Sequence, residues 1–90
     1  MSFRVRLAHG ALRDLDGLDA ATQARFARAF DGLGEDPYRS RPGCDIRVLR
    51  GTKDVRAVRV GPWRALNRID AEDGLVLVTR IARRRSAYGR

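Results

Sequence analysis

The chain has 90 residues, 43% of them hydrophobic and 33% charged, with a formal net charge of +8. That length supports one domain over residues 1–90 and excludes two, and the composition excludes a disordered chain. No apolar stretch reaches the length of a membrane span, the segment Met1-Ser2-Phe3-Arg4-Val5-Arg6 lacks the apolar region of a secretory signal, and the single Cys44 rules out an internal disulfide or a cysteine metal cluster, so the chain reads as cytoplasmic, off the membrane, and without metal or cofactor.

Phe3-Arg4-Val5-Arg6-Leu7 alternates apolar and basic residues with period two, which predicts a half-buried strand. Ala11, Leu12, Leu15 and Leu18 then recur at helical spacing and predict a short helix that Gly17 loosens at its end. Asp19 is a candidate N-cap for a second helix, in which Phe26, Phe30 and Leu33 fall on one face and which Gly34 and Pro37 stop. The pair reads as a helical hairpin.

Residues 38–44 form a loop, and β structure follows. Asp45 to Arg50 is a candidate strand, Gly51-Thr52-Lys53-Asp54 a turn, and Val55 to Val60 the next strand. Gly61-Pro62 makes a tight reversal into Trp63 to Ile69, and the loop 70–74 leads to the apolar run Leu75 to Ile81, whose composition suits a central position in the sheet. The order β-α-α-β-β-β-β predicts an α+β fold, an antiparallel sheet with the helical hairpin on one face. Period two turns Val58, Val60, Trp63, Ala65 and Ile69 toward the helices, and Ala57, Arg59, Arg64, Leu66 and Arg68 toward the uncovered face.

The charge is unevenly spread. Residues 1–45 hold seven Arg and seven acids, whereas residues 46–90 hold eleven Arg and Lys53 against Asp54, Asp70, Glu72 and Asp73. The whole excess lies in the C-terminal half, as expected of a polyanion-binding face. It culminates in Arg83-Arg84-Arg85-Ser86-Ala87-Tyr88-Gly89-Arg90, directly after the apolar run. Guanidinium groups and a titratable phenol gathered at a strand end supply fixed charge for phosphate and a group able to move a proton. His9, the one histidine, reads as a surface residue near the first helix, Trp63 as a core anchor, and Cys44 as a loop residue without a role.

Four segments resemble the RelE/ParE superfamily of toxins from bacterial and archaeal toxin–antitoxin modules. Ala11-Leu12-Arg13-Asp14-Leu15 with Leu18 is similar to its first helix, and Leu49-Arg50-Gly51 to the Leu-Lys/Arg-Gly before its second strand pair. Val58-Arg59-Val60-Gly61-Pro62-Trp63-Arg64-Ala65-Leu66 resembles its central hairpin, and Arg80-Ile81-Ala82-Arg83-Arg84-Arg85-Ser86-Ala87-Tyr88 its terminal Arg-Ile-Gly-His-Arg-Arg-x-x-Tyr. Here Arg83 stands where many members have His, Asn67 where the return strand usually has Tyr, and Pro62 where a polar turn residue is usual.

The resemblance implies a RelE-like endoribonuclease that cuts messenger RNA at the ribosome and so blocks translation. Arg64, Arg84 and Tyr88 would be its catalytic residues, and Arg59, Arg83 and Arg85 would bind RNA phosphates. The implied partners are a cognate antitoxin protein, mRNA and ribosomal RNA. The alternative on the same fold is a ParE-like poison that binds DNA gyrase and has no nuclease chemistry. Arg83 keeps its proton at neutral pH and cannot act as a base. Tyr88, whose phenolate nearby guanidinium groups would favour, is therefore the expected proton-transfer group.

Overall fold

The computed structural model describes residues 2–52 and 54–83. Strand β1 (Arg4–Leu7) is followed by helices α1 (His9–Asp16) and α2 (Ala20–Glu35), then strands β2 (Asp45–Val48), β3 (Val55–Val60), β4 (Trp63–Asp70) and β5 (Leu75–Arg83). The five strands form one sheet in the order β1-β5-β4-β3-β2, giving an α+β fold. Strands β2 to β5 are an antiparallel meander. The first strand departs from the all-antiparallel expectation, because it lies parallel to β5, with Arg4 opposite Leu75 and Leu7 opposite Val78. Strands joined by hairpins must be antiparallel, but β1 reaches the sheet through the two-helix connection and is free of that constraint.

One face of the sheet packs on the helices. Phe26 is fully buried and stacks on Phe30 with ring centroids 5.7 Å apart, and both meet Leu33, Val58, Val60, Ala65, Val76, Val78 and Ile81 in one core. The 3.6-residue spacing of Phe26, Phe30 and Leu33 is what gives α2 this face. Asp19 holds the N-cap position with extended backbone (φ −68°, ψ 159°). In α1 the inward residues are Ala11 and Leu15, and Leu12 is 47% exposed. A helix of this length offers the sheet only a narrow stripe, and a residue one step from Ala11 points about 100° away from it.

Two chain reversals set the register of the sheet. At Gly61-Pro62, Val60 pairs with Trp63 across a two-residue turn, and Gly61 has φ +57°. A glycine at the first central position is what this hairpin type needs, and proline then fixes the second. Strand β2 ends at Val48, short of the expected Arg50, because the Leu49 carbonyl accepts both the N–H (3.3 Å) and the hydroxyl (3.0 Å) of Thr52 and closes a turn.

Strand β5 is interior, paired with β1 on one side and β4 on the other, but its alternation is broken once. Leu66 lies opposite Arg80 while Asn67 lies opposite Val78, so Thr79 is an extra residue and its hydroxyl donates to the Leu66 carbonyl at 3.3 Å. Such a bulge exchanges the two faces of everything that follows it. Val76 and Val78 enter the core before it, and Ile81 enters the core after it.

The bulge is fastened by α1. Beyond Val78 the partner strand has ended, and the next outward N–H of β5, that of Ile81, donates to Asp14 Oδ2 at 2.8 Å. Arg80 Nε donates to the same oxygen at 2.8 Å. Partial burial pushes the Asp14 carboxyl up, but the Arg80 guanidinium and the Ile81 N–H outweigh it and hold the carboxyl below its usual value. A depressed folded-state pKa means stability that is present above the unfolded value near pH 4 and lost as pH falls through the folded value. Asp14→Ala is expected to cost about 1–2 kcal/mol in urea denaturation at neutral pH. The wild-type advantage over this variant should fade below about pH 4.

Candidate nucleic-acid interface

The face of the sheet turned away from the helices carries a transverse row in which Asp45 of β2, Arg59 of β3, Arg64 of β4 and Ala82 of β5 lie side by side. Paired residues in antiparallel strands share a face, so Arg59 and Arg64 sit together on the side expected from the sequence. Arg59 is anchored: its Nε lies 3.1 Å from Asp45 Oδ2, and the other carboxylate oxygen of Asp45 accepts from Arg47 Nε, also at 3.1 Å.

Arg64 differs from its expected setting. An outward arginine on an uncovered strand should be solvated, yet Arg64 is 3% exposed. A guanidinium held out of water interacts with an anion far more strongly than a solvated one. Its position in the middle of a five-stranded sheet, flanked by β3 and β5, also fixes its base rigidly.

Arg83 is not part of the row. It pairs with Trp63, which places it on the helix side, and its guanidinium lies 5.0 Å from the Trp63 ring centroid. That is cation–π distance. The bulge at Thr79 accounts for this separation, because it exchanges the faces of the residues after it. Trp63 packs against the core as expected. The expected catalytic residues Arg84 and Tyr88, and the phosphate-binding Arg85, lie outside the described residues.

The other candidates resolve plainly. His9 is exposed at the first turn of α1. Cys44, assigned to a loop, is in fact buried; its thiol points to the Ala29 carbonyl at 3.7 Å, and burial pushes its pKa up, so it is an inert core residue. Asn67 is buried on the core side of β4 and donates to the Ala65 carbonyl at 3.1 Å. Two arginines escaped the sequence reading. Arg25 and Arg28, on the polar face of α2, line a cleft with Arg59 beside the β3–β4 turn. Their spacing of three residues was visible, but it is equally the pattern of a solvated helix face.

The fold is a small α+β one with Arg59 and Arg64 rowed across the side of the sheet away from the helices, and comparison gives its family. The model of the ParE toxin of the type II toxin–antitoxin system parDE matches residues 5–88. The chain is a member of this RelE/ParE family of type II toxins. It is 28% identical over 88 residues to a Methanocaldococcus jannaschii protein that carries the toxin name RelE1, with 98% of this chain and 97% of that one covered. The archaeal RelE–RelB complex of Pyrococcus horikoshii superimposes with a TM-score of 0.78 at 25% identity, covering 100% of this chain and 99% of that one. The toxin–antitoxin complex RelBE2 of Mycobacterium tuberculosis gives 0.75 at 27% identity, with 93% and 100% covered.

Proposed function

We propose that the chain is a metal-independent endoribonuclease that cuts messenger RNA at the ribosome and inhibits translation until a cognate antitoxin binds it. The observation that carries this reading is the Arg59–Arg64 row, which crosses the sheet to Ala82, two residues before Arg84. The RelE names of the relatives, and their crystallisation as toxin–antitoxin complexes, support the same reading and a protein antitoxin as partner. The net charge of +8 suits both an RNA substrate and an acidic antitoxin segment.

In this mechanism a base takes the proton of a ribose 2′-OH, and the oxygen attacks the adjacent phosphorus in line. The P–O5′ bond breaks, and an acid protonates the leaving 5′-oxygen. The products are a 2′,3′-cyclic phosphate and a 5′-OH end. Arg64 and Arg84 neutralise the charge that develops on the phosphoryl oxygens. Arg59 and Arg85 hold the strand, and Arg83 meets it where it passes the end of the sheet. Tyr88 is the proton-transfer group, since a guanidinium is too weak an acid to give up its proton and serve as the base.

The test is a translation extract charged with a defined message, run beside a plasmid supercoiling assay. Cut message bearing cyclic phosphate ends, with the plasmid untouched, is the expected result. Relaxed or cleaved plasmid with intact message would instead identify a gyrase poison. Tyr88→Phe should lower cleavage by roughly 10²–10⁴-fold, and His9→Ala should leave it unchanged. The reverse pattern would move the proton-transfer role to His9.

A further inference from the structure

The cleft that α2 forms with the β3–β4 turn and the start of β2 encloses about 330 Å³, and three of its lining residues are arginines: Arg25, Arg28 and Arg59. We propose that it is a second phosphate site, one that grips the sugar–phosphate backbone of the RNA strand after it leaves the Arg59–Arg64 row. The proposal builds on the nuclease reading by adding a binding site remote from the chemistry.

Charge is the first argument. Asp45 is the one carboxylate among the described residues lining the cleft, and both of its oxygens are already engaged by Arg59 and Arg47. Arg25 and Arg28 have no ion-pair partner among the described residues. Residues three apart on a helix have Cβ atoms roughly 5–6 Å apart, so these two cations flank one small volume together with Arg59. Like charges so arranged repel one another until an anion enters between them. Arginine N–H groups offer the bidentate geometry that a phosphodiester accepts.

Shape is the second argument. Gly43 and Gly61 form part of the wall. A Cβ at Gly43 would meet nothing within 4 Å, and one at Gly61 would meet Arg25 Nη1 at 3.6 Å. The wall is thus bare backbone at both points, which allows a sugar–phosphate chain to approach closely. Among the described residues, Val60 is the one bulky apolar side chain in the lining. A docked peptide draws its affinity from apolar anchors in pockets, and this cleft offers almost none. Continuity is the third argument. Arg59 belongs both to the cleft and to the row with Arg64, so a strand bound at the row runs into the cleft without a gap in positive charge.

The decisive measurement is the affinity of the full chain for a short fluorescein-labelled RNA with 2′-O-methyl riboses, taken as a function of salt. The 2′-O-methyl group removes the attacking hydroxyl, so binding is read without cleavage. The double variant Arg25→Gln with Arg28→Gln should bind roughly tenfold more weakly at low salt, whatever the RNA sequence. Its slope of log K against log salt should be shallower by about 1.4, the value for two lost single-strand phosphate contacts. Arg13→Gln with Arg39→Gln removes the same charge from exposed positions elsewhere and should keep the wild-type slope. Both pairs sit on the surface, and unchanged thermal melting confirms that they fold. Equal slope changes in the two doubles would overturn the proposal, since only net charge would then matter. So would an unchanged RNA affinity in the Arg25/Arg28 double, with or without weakened binding of the antitoxin. Tyr88→Phe should keep the wild-type slope. A chain that binds this RNA through Arg25 and Arg28 but fails to cut message would refute the nuclease reading and leave the cleft standing.

Discussion

On the proposed nuclease reading, Arg64→Ala is expected to lower single-turnover RNA cleavage by roughly 10³-fold or more, with Arg64→Lys recovering only a small part of the loss. The magnitude is that of a guanidinium acting on phosphoryl oxygens, about 10³–10⁵ in rate. The lysine variant separates charge from shape, because an ammonium keeps the positive charge and most of the aliphatic stem but cannot grip two oxygens at once. Arg64 is also 3% exposed, so truncation to alanine removes packing as well as charge. Melting curves must therefore accompany the kinetics. An Arg64→Lys protein that melts like wild type yet cleaves poorly places the effect in the transition state. A lysine variant with full activity would show that a point charge suffices, and a fully active alanine variant would make Arg64 purely structural.

Phe26→Ala carries the largest expected cost in stability. The ring is fully buried, stacks on Phe30 and lies where α2 packs on the sheet. Removing a buried phenyl group costs about 3–5 kcal/mol, from lost transfer energy and from the cavity left behind. Domains of this size are stable by only about 5–15 kcal/mol, and each kcal/mol shifts Tm by about 4–8 °C. A fall in Tm of roughly 15 °C or more is therefore expected. Phe30→Ala should cost less, because Phe30 is only partly buried and borders an open groove beside β1. A loss under about 1 kcal/mol for Phe26→Ala would mean that α2 is not the anchor of this core.

Much of this architecture is legible in the sequence, because local periodicity encodes it. Phe26, Phe30 and Leu33 declare the buried face of α2, Gly61-Pro62 declares a hairpin, and the alternation of Trp63, Ala65 and Ile69 assigns the faces of β4. What escaped depends on partners distant in the chain. An alternating pattern in β1 cannot say that its neighbour is β5, nor that the two run parallel. The extra residue at Thr79 carries no signature in a run of apolar side chains, yet it sends Arg83 to the side opposite Arg59 and Arg64. Arg64 was placed on the correct face but not in the correct environment, since burial depends on what lies above a side chain. Cys44 shows the same limit, being a loop residue by its glycine and proline neighbours and a core residue by its contacts.

The pairing of β1 with β5 also governs how the molecule comes into being. Hairpins β2–β3 and β3–β4 can close as soon as they leave the ribosome, because their partners are neighbours in sequence. Strand β1 cannot, since Arg4 waits for Leu75 and among the described strands it pairs with β5 alone. Closing so long a loop is slow, and it comes last in synthesis. A chain stopped before Leu75 therefore lacks β5, the strand that joins β1 to the rest of the sheet, and has no completed core. Synthesis stopped before that point is expected to leave an unfolded product rather than a smaller folded domain.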